Sequence, residues 1–218
     1  MSIVVRTLSE QVSEIIRERI VSGQLREDAP IRQDALAAEL GVSKIPLREA
    51  LARLEQEGLL ISHANRGYSV RAMSAEEADE IFELRLAIEP AAASAGASAA
   101  DDEERAAAER LFEELDAATL EGAPDVAERN RRFHTALVRP GGRLLTTQLV
   151  ERLAILAERY VIEHLQPAGR ESRAHQEHRG LLDAWLARDG ALTAELLDRH
   201  IQGTLNDLRE QLDAERQG

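Results

Sequence analysis

Residues 31–70 constrain the fold of this chain more than any other stretch. Apolar residues recur about one helical turn apart over 34–40 and again in a second segment that follows Ser43. Gly41, Val42 and Ser43 separate the two segments. Glycine tolerates the left-handed conformation that ends a helix, and serine is a good N-cap for the next one. The stretch therefore predicts two helices joined by a tight turn.

A predicted β-hairpin follows the second helix. Residues 59–61 and 68–70 have the composition of two short strands, and a turn at 65–67 lies between them. Two helices joined by a short glycine-containing turn form a helix-turn-helix, whose second helix can enter the major groove of DNA. A helix–glycine–helix pair alone is more often only structural. Here the second helix also carries the basic residues Lys44 and Arg48, and the hairpin after it would be a wing. Together these features predict a DNA-binding domain.

The residues VSKIPLREALARLEQEGLL, followed by RGYSV, resemble the DNA-binding domain of the GntR family of bacterial transcription regulators. The family pattern usually has arginine where this chain has Lys44 and valine where it has Leu47, and both departures are mild. The resemblance implies a winged helix-turn-helix that binds double-stranded DNA.

Six residues are candidate DNA contacts, three on the second helix and three in the wing. Arginine and lysine favour guanine edges or phosphate oxygens, and a serine hydroxyl suits phosphate. The wing-tip residues face the minor groove or a phosphate in one interpretation and merely make the turn in the other. The candidates are Ser43, Lys44, Arg48, Asn65, Arg66 and Gly67.

The charge distribution favours two domains. The chain of 218 residues has a net charge of −13, and an overall negative charge opposes binding to DNA. Residues 1–73, however, hold ten basic and ten acidic residues, so the whole acidic surplus lies in 74–218. A neutral first domain can still present one basic face to phosphates. We therefore predict a DNA-binding domain over 1–73 and a second domain over 74–218.

The second domain is predicted to be entirely helical. Aromatic residues make up only 3% of the chain, and no strand pattern occurs after residue 73. Short loops between helices favour an antiparallel bundle. The predicted helices span 75–97, 101–120, 124–138, 143–164, 172–187 and 191–214. The fold class expected for the whole chain is mainly α, with an N-terminal winged helix-turn-helix and a C-terminal antiparallel all-helical bundle.

The sequence also bears on location. It has no run of eighteen apolar residues, no signal-peptide core and no cysteine. We therefore expect a soluble cytoplasmic protein without disulfides and without a membrane association.

Five of the six histidines lie in the second domain, and three of them fall on different predicted helices. These are His134, His178 and His200. Asn130 is four residues before His134, so the two side chains point from one helical face. Helical bundles build metal sites from side chains on facing helices, although a helical histidine is more often a surface or core residue. The spacing permits a three-histidine site with the Asn130 oxygen as a fourth ligand.

A second resemblance supports this site. NRRFHTAL and EHRGLLDAWLARDGALTAELLDRHI are similar to the signature of the FCD domain, the ligand-binding bundle of the FadR branch of GntR regulators. Six bundle helices rather than seven resemble the VanR-type subgroup. The resemblance implies a divalent metal ion (zinc, nickel or manganese) and a small carboxylic acid as effector. It implies Asn130, His134, His178 and His200 as ligands. The family more often has aspartate at the position of Asn130, so either the ion binds more weakly here or an effector carboxylate supplies the missing charge.

Four further residues are candidate effector contacts. Arg85 and Glu89 match the family hallmark R-x-x-x-E-P. An arginine and a glutamate four residues apart are usually only a helix ion pair, but Arg85 could instead bind an effector carboxylate through its two-pronged guanidinium. Arg159 and Tyr160 are weaker candidates of the same kind. His175, one turn before His178, is either a neighbour of the site or a ligand.

The expected function is transcription regulation. We expect a homodimer, most simply a repressor, that binds palindromic half-sites about one DNA turn apart and changes its DNA binding when a carboxylate occupies the bundle. We do not expect an enzyme. Two alternatives stay open at this point: a metal-dependent hydrolase, since three histidines with an open position also describe catalytic zinc, and an architectural DNA-binding protein without an effector.

Overall fold

The computed structural model describes residues 7–64, 66–121, 123, 125–164 and 170–217. The chain divides into two compact units, Met1–Ser74 and Ala75–Gly218. The first unit contains three helices and a hairpin, and the second is helical. This architecture confirms the predicted fold class, which is mainly α with a winged helix-turn-helix followed by an all-helical bundle.

The first unit contains α1 (Leu8–Val21), α2 (Gln33–Leu40), α3 (Lys44–Glu57), β1 (Leu60–His63) and β2 (Gly67–Val70). A capping box begins α1. The Thr7 hydroxyl accepts from the Glu10 backbone N–H, and the Glu10 carboxylate accepts from the Thr7 N–H. These two bonds satisfy backbone donors that the first turn of a helix leaves unpaired.

The turn between α2 and α3 is made by Gly41. Its φ of 66° lies in the left-handed region, and its N–H bonds back to the carbonyls of the last turn of α2. Ser43 occupies the N-cap position of α3 with extended backbone, but its side chain makes no capping hydrogen bond. The predicted position of the N-cap is therefore correct, but the side-chain hydrogen bond expected of a capping serine is not formed. On α3 the apolar stripe is fully buried: Leu47, Ala50, Leu51 and Leu54.

The hairpin pairs β1 with β2 in antiparallel register, with Leu60 opposite Val70 and His63 opposite Gly67. At its turn the Arg66 N–H donates to the His63 carbonyl at 3.0 Å. Asn65 lies outside the described residues. The strands are slightly longer than predicted and form a wing directly after α3.

The described part of the second unit forms six α-helices and one 3₁₀ turn at Arg139–Gly141. The α-helices are α4 (Ala75–Ala99), α5 (Asp102–Glu121), α6 (Val126–Val138), α7 (Leu144–His164), α8 (Arg170–Leu186) and α9 (Gly190–Gln217). Four of them, α6, α7, α8 and α9, pack against α4. None of the described helices combines the length and the apolar character that a membrane span requires.

A close approach of α4 to α6 organises this unit. A Cβ added to Gly96 would lie 1.9 Å from the Leu137 carbonyl oxygen, so only glycine fits there. The same carbonyl accepts the indole N–H of the fully buried Trp185 at 2.9 Å. Helices α4, α6 and α8 therefore meet at the Leu137 carbonyl oxygen. Gly96 of α4 packs against this oxygen, and Trp185 of α8 donates a hydrogen bond to it.

We predict that Gly96→Ala destabilises the protein by about 3 kcal/mol, the upper end of overpacking costs, because the new methyl group meets a backbone atom. Gly180→Ala is the matched control. Gly180 lies inside α8 with open space around its Cα, so alanine there should stabilise the protein by up to about 1 kcal/mol through helix propensity. Thermal and urea unfolding measure both values. A Gly96→Ala protein as stable as the wild type would contradict the close approach.

Candidate functional site

An open groove of about 640 Å³ lies between α2, α3 and the wing. Three of the six predicted DNA contacts line it: Lys44, Arg48 and Gly67. Ser43 and Arg66 are exposed beside these elements but do not line the groove. The full lining is Arg32, Gln33, Asp34, Lys44, Arg48, Ser62, His63, Gly67 and Tyr68.

The cations of this groove differ in their pairing. Arg48 is exposed and forms no ion pair within the described part of the chain. Lys44 pairs with Asp34 at 2.7 Å, but both side chains are well exposed, so the pair contributes at most about 1 kcal/mol and a phosphate can replace it. Arg53, farther along α3, contacts Glu10 and Glu57 instead.

Sequence reasoning missed Arg32, His63 and Tyr68 as groove residues. Arg32 is exposed at the N-terminal end of α2, and its only signal was a basic residue next to a predicted helix start. His63 and Tyr68 reach the groove because β2 pairs with residues 30 and 31, just before α2, and this pairing depends on tertiary packing. His63 Nε2 lies 2.8 Å from the Ser69 hydroxyl oxygen.

The second unit brings three histidines together. His134 on α6, His178 on α8 and His200 on α9 each place a ring nitrogen within 4.8 Å of the others. The Nε2 atoms of His134 and His178 are 3.1 Å apart. His134 and His178 are buried and His200 is half-buried. Three of the four ligands predicted from the sequence therefore converge.

A hydrogen bond to Glu177 leaves one ring nitrogen of His200 available to bind a cation. His200 Nδ1 lies 2.7 Å from a Glu177 carboxylate oxygen and donates to it, which leaves Nε2 as the ligand atom. Arg173 lies 3.6 Å from the other Glu177 oxygen and helps to orient that carboxylate. Glu177 was missed as a site residue, although it stands next to His178 in the sequence.

His134 is held in its neutral form. Burial, and then the neighbouring His178, His200 and Arg85, hold the pKa of His134 well below its usual range. Its Nδ1 is buried and has no hydrogen-bond partner among the residues that the structure describes. Its other ring nitrogen, Nε2, faces the imidazole of His178. A neutral, buried imidazole in these surroundings is suited to bind a cation. The donor set thus fits a divalent metal ion.

Asn130 lies on α6 one turn before His134 and is half-buried. Its role as the fourth ligand stays a prediction from the resemblance. An asparagine oxygen is neutral, so with three neutral imidazoles the predicted shell carries no negative charge.

Arg85 is buried and forms the helix ion pair that was one of its two predicted roles. Its Nε and Nη2 donate to the Glu89 carboxylate at 2.6 and 3.2 Å. Its charge also contributes to the lowered pKa of His134, which places the guanidinium near the histidine cluster. Contact with an effector stays a prediction.

The remaining candidates lie in different surroundings. Arg159 and Tyr160 are buried on α7, and the Tyr160 hydroxyl donates to Glu77 at 2.7 Å. His175 is part-exposed, and its Nδ1 contacts the Asp116 carboxylate, so it is not one of the three converging rings. Their roles in effector binding also stay predictions.

Comparison with known proteins agrees with both units. Residues 8–70 match the family model described as bacterial regulatory proteins, gntR family, and residues 80–203 match the FCD domain. The HTH-type transcriptional repressor GlaR of Escherichia coli strain K12 is 31% identical over 195 residues, which cover 85% of this chain and 89% of GlaR. The chain belongs to the GntR family of transcriptional regulators.

Other relatives support the same assignment. The Nta operon transcriptional regulator of Aminobacter aminovorans is 28% identical over 190 residues, covering 87% of this chain and 89% of that protein. The solved structure of Escherichia coli McbR/YncC superposes with a TM-score of 0.81 at 24% identity, covering 95% of this chain and 100% of that one, and so shares the fold. This GntR regulator is a DNA-binding transcriptional regulator and not an enzyme, so the hydrolase alternative is set aside.

We predict that Glu177→Gln lowers the affinity of the protein for Zn²⁺ or Ni²⁺ by about 10- to 100-fold, the usual effect of losing a carboxylate that orients a histidine ligand. The combined change His134→Ala/His178→Ala should abolish binding. Elemental analysis and metal titration give the readout, and circular dichroism reports folding.

Glu195→Gln is the control for these metal titrations. Glu195 lies on the same helix as His200, but it is exposed, and within the described ranges it pairs only with Arg199. The control should bind metal like the wild type. If the double histidine variant keeps its full metal content, the ion binds elsewhere.

Proposed function

We propose that this GntR regulator is a homodimeric repressor that binds a palindromic DNA operator in the cytoplasm and responds to a small carboxylic acid. In this proposal the winged unit binds DNA, and the helical unit holds a divalent ion of zinc, nickel or manganese together with the acid. The observation that carries the sensing role is the meeting of three imidazoles from three helices at one buried point. An architectural DNA-binding protein has no need of such a cluster, because buried imidazoles replace apolar packing at a cost.

The DNA interface is proposed to be the groove and the surfaces beside it. Arg48, on the exposed face of α3, is the proposed reader of a base edge or phosphate, since its guanidinium has no competing ion pair among the described residues. Lys44 and Ser43 are proposed phosphate contacts at the start of the same helix, and Arg66 and Gly67 extend the contact from the wing. Asn65 is retained from the sequence for the wing tip. Two copies of the unit suit half-sites about one DNA turn apart.

The metal ion is proposed to bind His134, His178 and His200, with Asn130 as a fourth ligand. Imidazole nitrogens suit zinc and nickel, and three of them with one further position form a familiar donor set. A bound ion would attract a carboxylate as a Lewis acid. The chain prepares the site by keeping His134 neutral and by orienting His200 through Glu177.

The charges around the site favour an anionic effector. The proposed ligands are all neutral, so a dication keeps positive charge that a carboxylate can compensate. Arg85 adds a second positive charge near His134, and its Nε and Nη2 are already engaged by Glu89. We infer that Arg85 contacts the acid, with Arg159, Tyr160 and His175 as further candidates from the sequence.

Helix α4 is the proposed link between sensing and DNA binding. It carries Arg85, packs against the three helices that carry the histidines, and follows the wing strand β2 after residues 71–74. An acid that binds one arrangement of these helices more tightly than another shifts the population between them. If the two arrangements also differ in their affinity for DNA, the acid changes DNA binding, and DNA changes acid binding by the same free energy.

For the DNA interface, we predict that Arg48→Ala weakens binding to an operator selected from random DNA by about 1–3 kcal/mol, or roughly 5- to 150-fold, the range for an arginine that contacts a base. Gel-shift titration at fixed salt measures this. Arg53→Ala is the control, because that arginine faces Glu10 and Glu57 and should leave DNA affinity unchanged. If Arg48→Ala binds the operator like the wild type, α3 does not read DNA as proposed.

For the effector, we predict that a panel of mono-, di- and tricarboxylic acids contains one that stabilises the metal-loaded protein by about 2–3 kcal/mol at 100 times its Kd and also changes operator affinity. Differential scanning fluorimetry and gel-shift titration measure the two effects. The His134→Ala/His178→Ala protein should show neither. An equal response of that double variant would place the acid away from the histidine cluster.

A further inference from the structure

Helix α3, the second helix of the helix-turn-helix, carries a large apolar side chain in solvent. Ile45, in its first turn, is 71% exposed, the largest exposed fraction among the isoleucines that the structure describes. On an ordinary surface a single exposed apolar residue needs no special role. Ile45, however, lies on the helix that the proposed function places in the major groove of DNA, where an apolar side chain finds few favourable contacts.

Ile45 projects away from the body of the winged unit. At about 100° per residue around a helix, its side chain lies about 170° from the middle of the buried stripe formed by Leu47, Ala50, Leu51 and Leu54. It therefore points directly outward from the side of α3 that packs in the core. In helix-turn-helix proteins, the N-terminal residues of this helix are the ones that reach base edges. Both its direction and its place in the first turn put Ile45 among such residues.

The outward strip of α3 that contains Ile45 is poorly suited to phosphate. Glu49 follows Ile45 by one helical turn and is also exposed. A carboxylate is repelled by phosphates, but it can accept a hydrogen bond from the amino group of cytosine. The basic residues Lys44 and Arg48 lie to one side of the strip, where they line the groove. The strip itself is thus suited to base edges rather than to the DNA backbone.

We propose that Ile45 packs against the methyl group of a thymine in each half-site and selects T·A at that position. In the major groove, thymine is the one base that presents a methyl group. Isoleucine is branched at Cβ and holds largely one χ1 rotamer in a helix, so little side-chain freedom is lost in this contact. The inference rests on the DNA interface proposed above and assigns one of the bases that the interface reads.

The spacing of Ile45 and Arg48 limits where this thymine lies. The two residues are three positions apart, so their Cβ atoms are about 5–6 Å from each other on the helix surface. Successive bases along a strand are about 3.4 Å apart. The thymine is therefore expected within roughly two base pairs of the position that Arg48 contacts.

The test replaces single thymines of the operator by deoxyuridine, which removes only the methyl group. The operator is the sequence that the wild-type protein selects from random DNA, and gel-shift titration at fixed salt measures affinity. At one thymine position we expect wild-type affinity to fall about fourfold, which corresponds to one buried methyl group. Ile45→Ala should bind the thymine operator more weakly than the wild type and should lose no further affinity when deoxyuridine occupies that position.

Ile15→Ala is the matched control. Ile15 is 40% exposed on α1, and it does not line the groove. This variant should keep the wild-type preference for thymine over deoxyuridine at the same position. Circular dichroism reports the folding of both variants. The deoxyuridine series on the wild-type protein tests the contact without any substitution in the chain.

Equal wild-type affinity for every deoxyuridine-containing operator overturns the thymine contact. An Ile45→Ala protein that retains the preference for thymine overturns the assignment to Ile45. In both cases the proposed DNA interface survives if Arg48→Ala still weakens operator binding. A wild-type protein that selects no operator from random DNA overturns the proposed interface and the Ile45 contact together.

Discussion

The second unit depends on the contact between Gly96 of α4 and the Leu137 carbonyl of α6. The absence of a side chain lets the two helices approach closely, and the Trp185 indole binds the same carbonyl from α8. His134 lies one turn before Leu137, and His178 lies two turns before Trp185. A single backbone oxygen therefore sets the relative positions of the two helices whose imidazoles meet at 3.1 Å. Packing between helices, rather than any interaction of the histidines themselves, brings the rings together.

The histidine cluster shows how a core can hold polar rings. Three imidazoles in an apolar bundle are costly unless their nitrogens are paired or bind a cation. Glu177 satisfies one nitrogen of His200, while His134 keeps a strongly lowered pKa and an Nδ1 that no described residue pairs with. The protein thus keeps neutral donors available at a buried point. In the proposed function, an ion and an acid supply the charge that these residues lack.

The two units use their charges in opposite ways. In the winged unit, exposed cations line an open groove where a polyanion can replace weak pairs such as Lys44 with Asp34. In the helical unit, Arg85 is buried against Glu89 beside the histidines. The first arrangement suits an extended partner bound from solvent, and the second suits a small anion bound by a buried cation. The family assignment to DNA-binding regulators agrees with the first, and the second underlies the proposed sensing role.

The sequence by itself determined every element whose signal is local. Gly41 and the apolar stripe of α3 specified the helix-turn-helix, and periodicity located the bundle helices to within a few residues, because turn conformation and helical amphipathicity depend on near neighbours. The three converging histidines were also predicted, although only with help from a family resemblance. Only the tertiary structure decided that Glu177 orients His200, that His175 pairs with Asp116, that Arg85 is bound to Glu89 and that Arg32 and Tyr68 line the groove. Those outcomes depend on which helix faces meet, and a one-dimensional pattern does not specify the rotation of one helix against another.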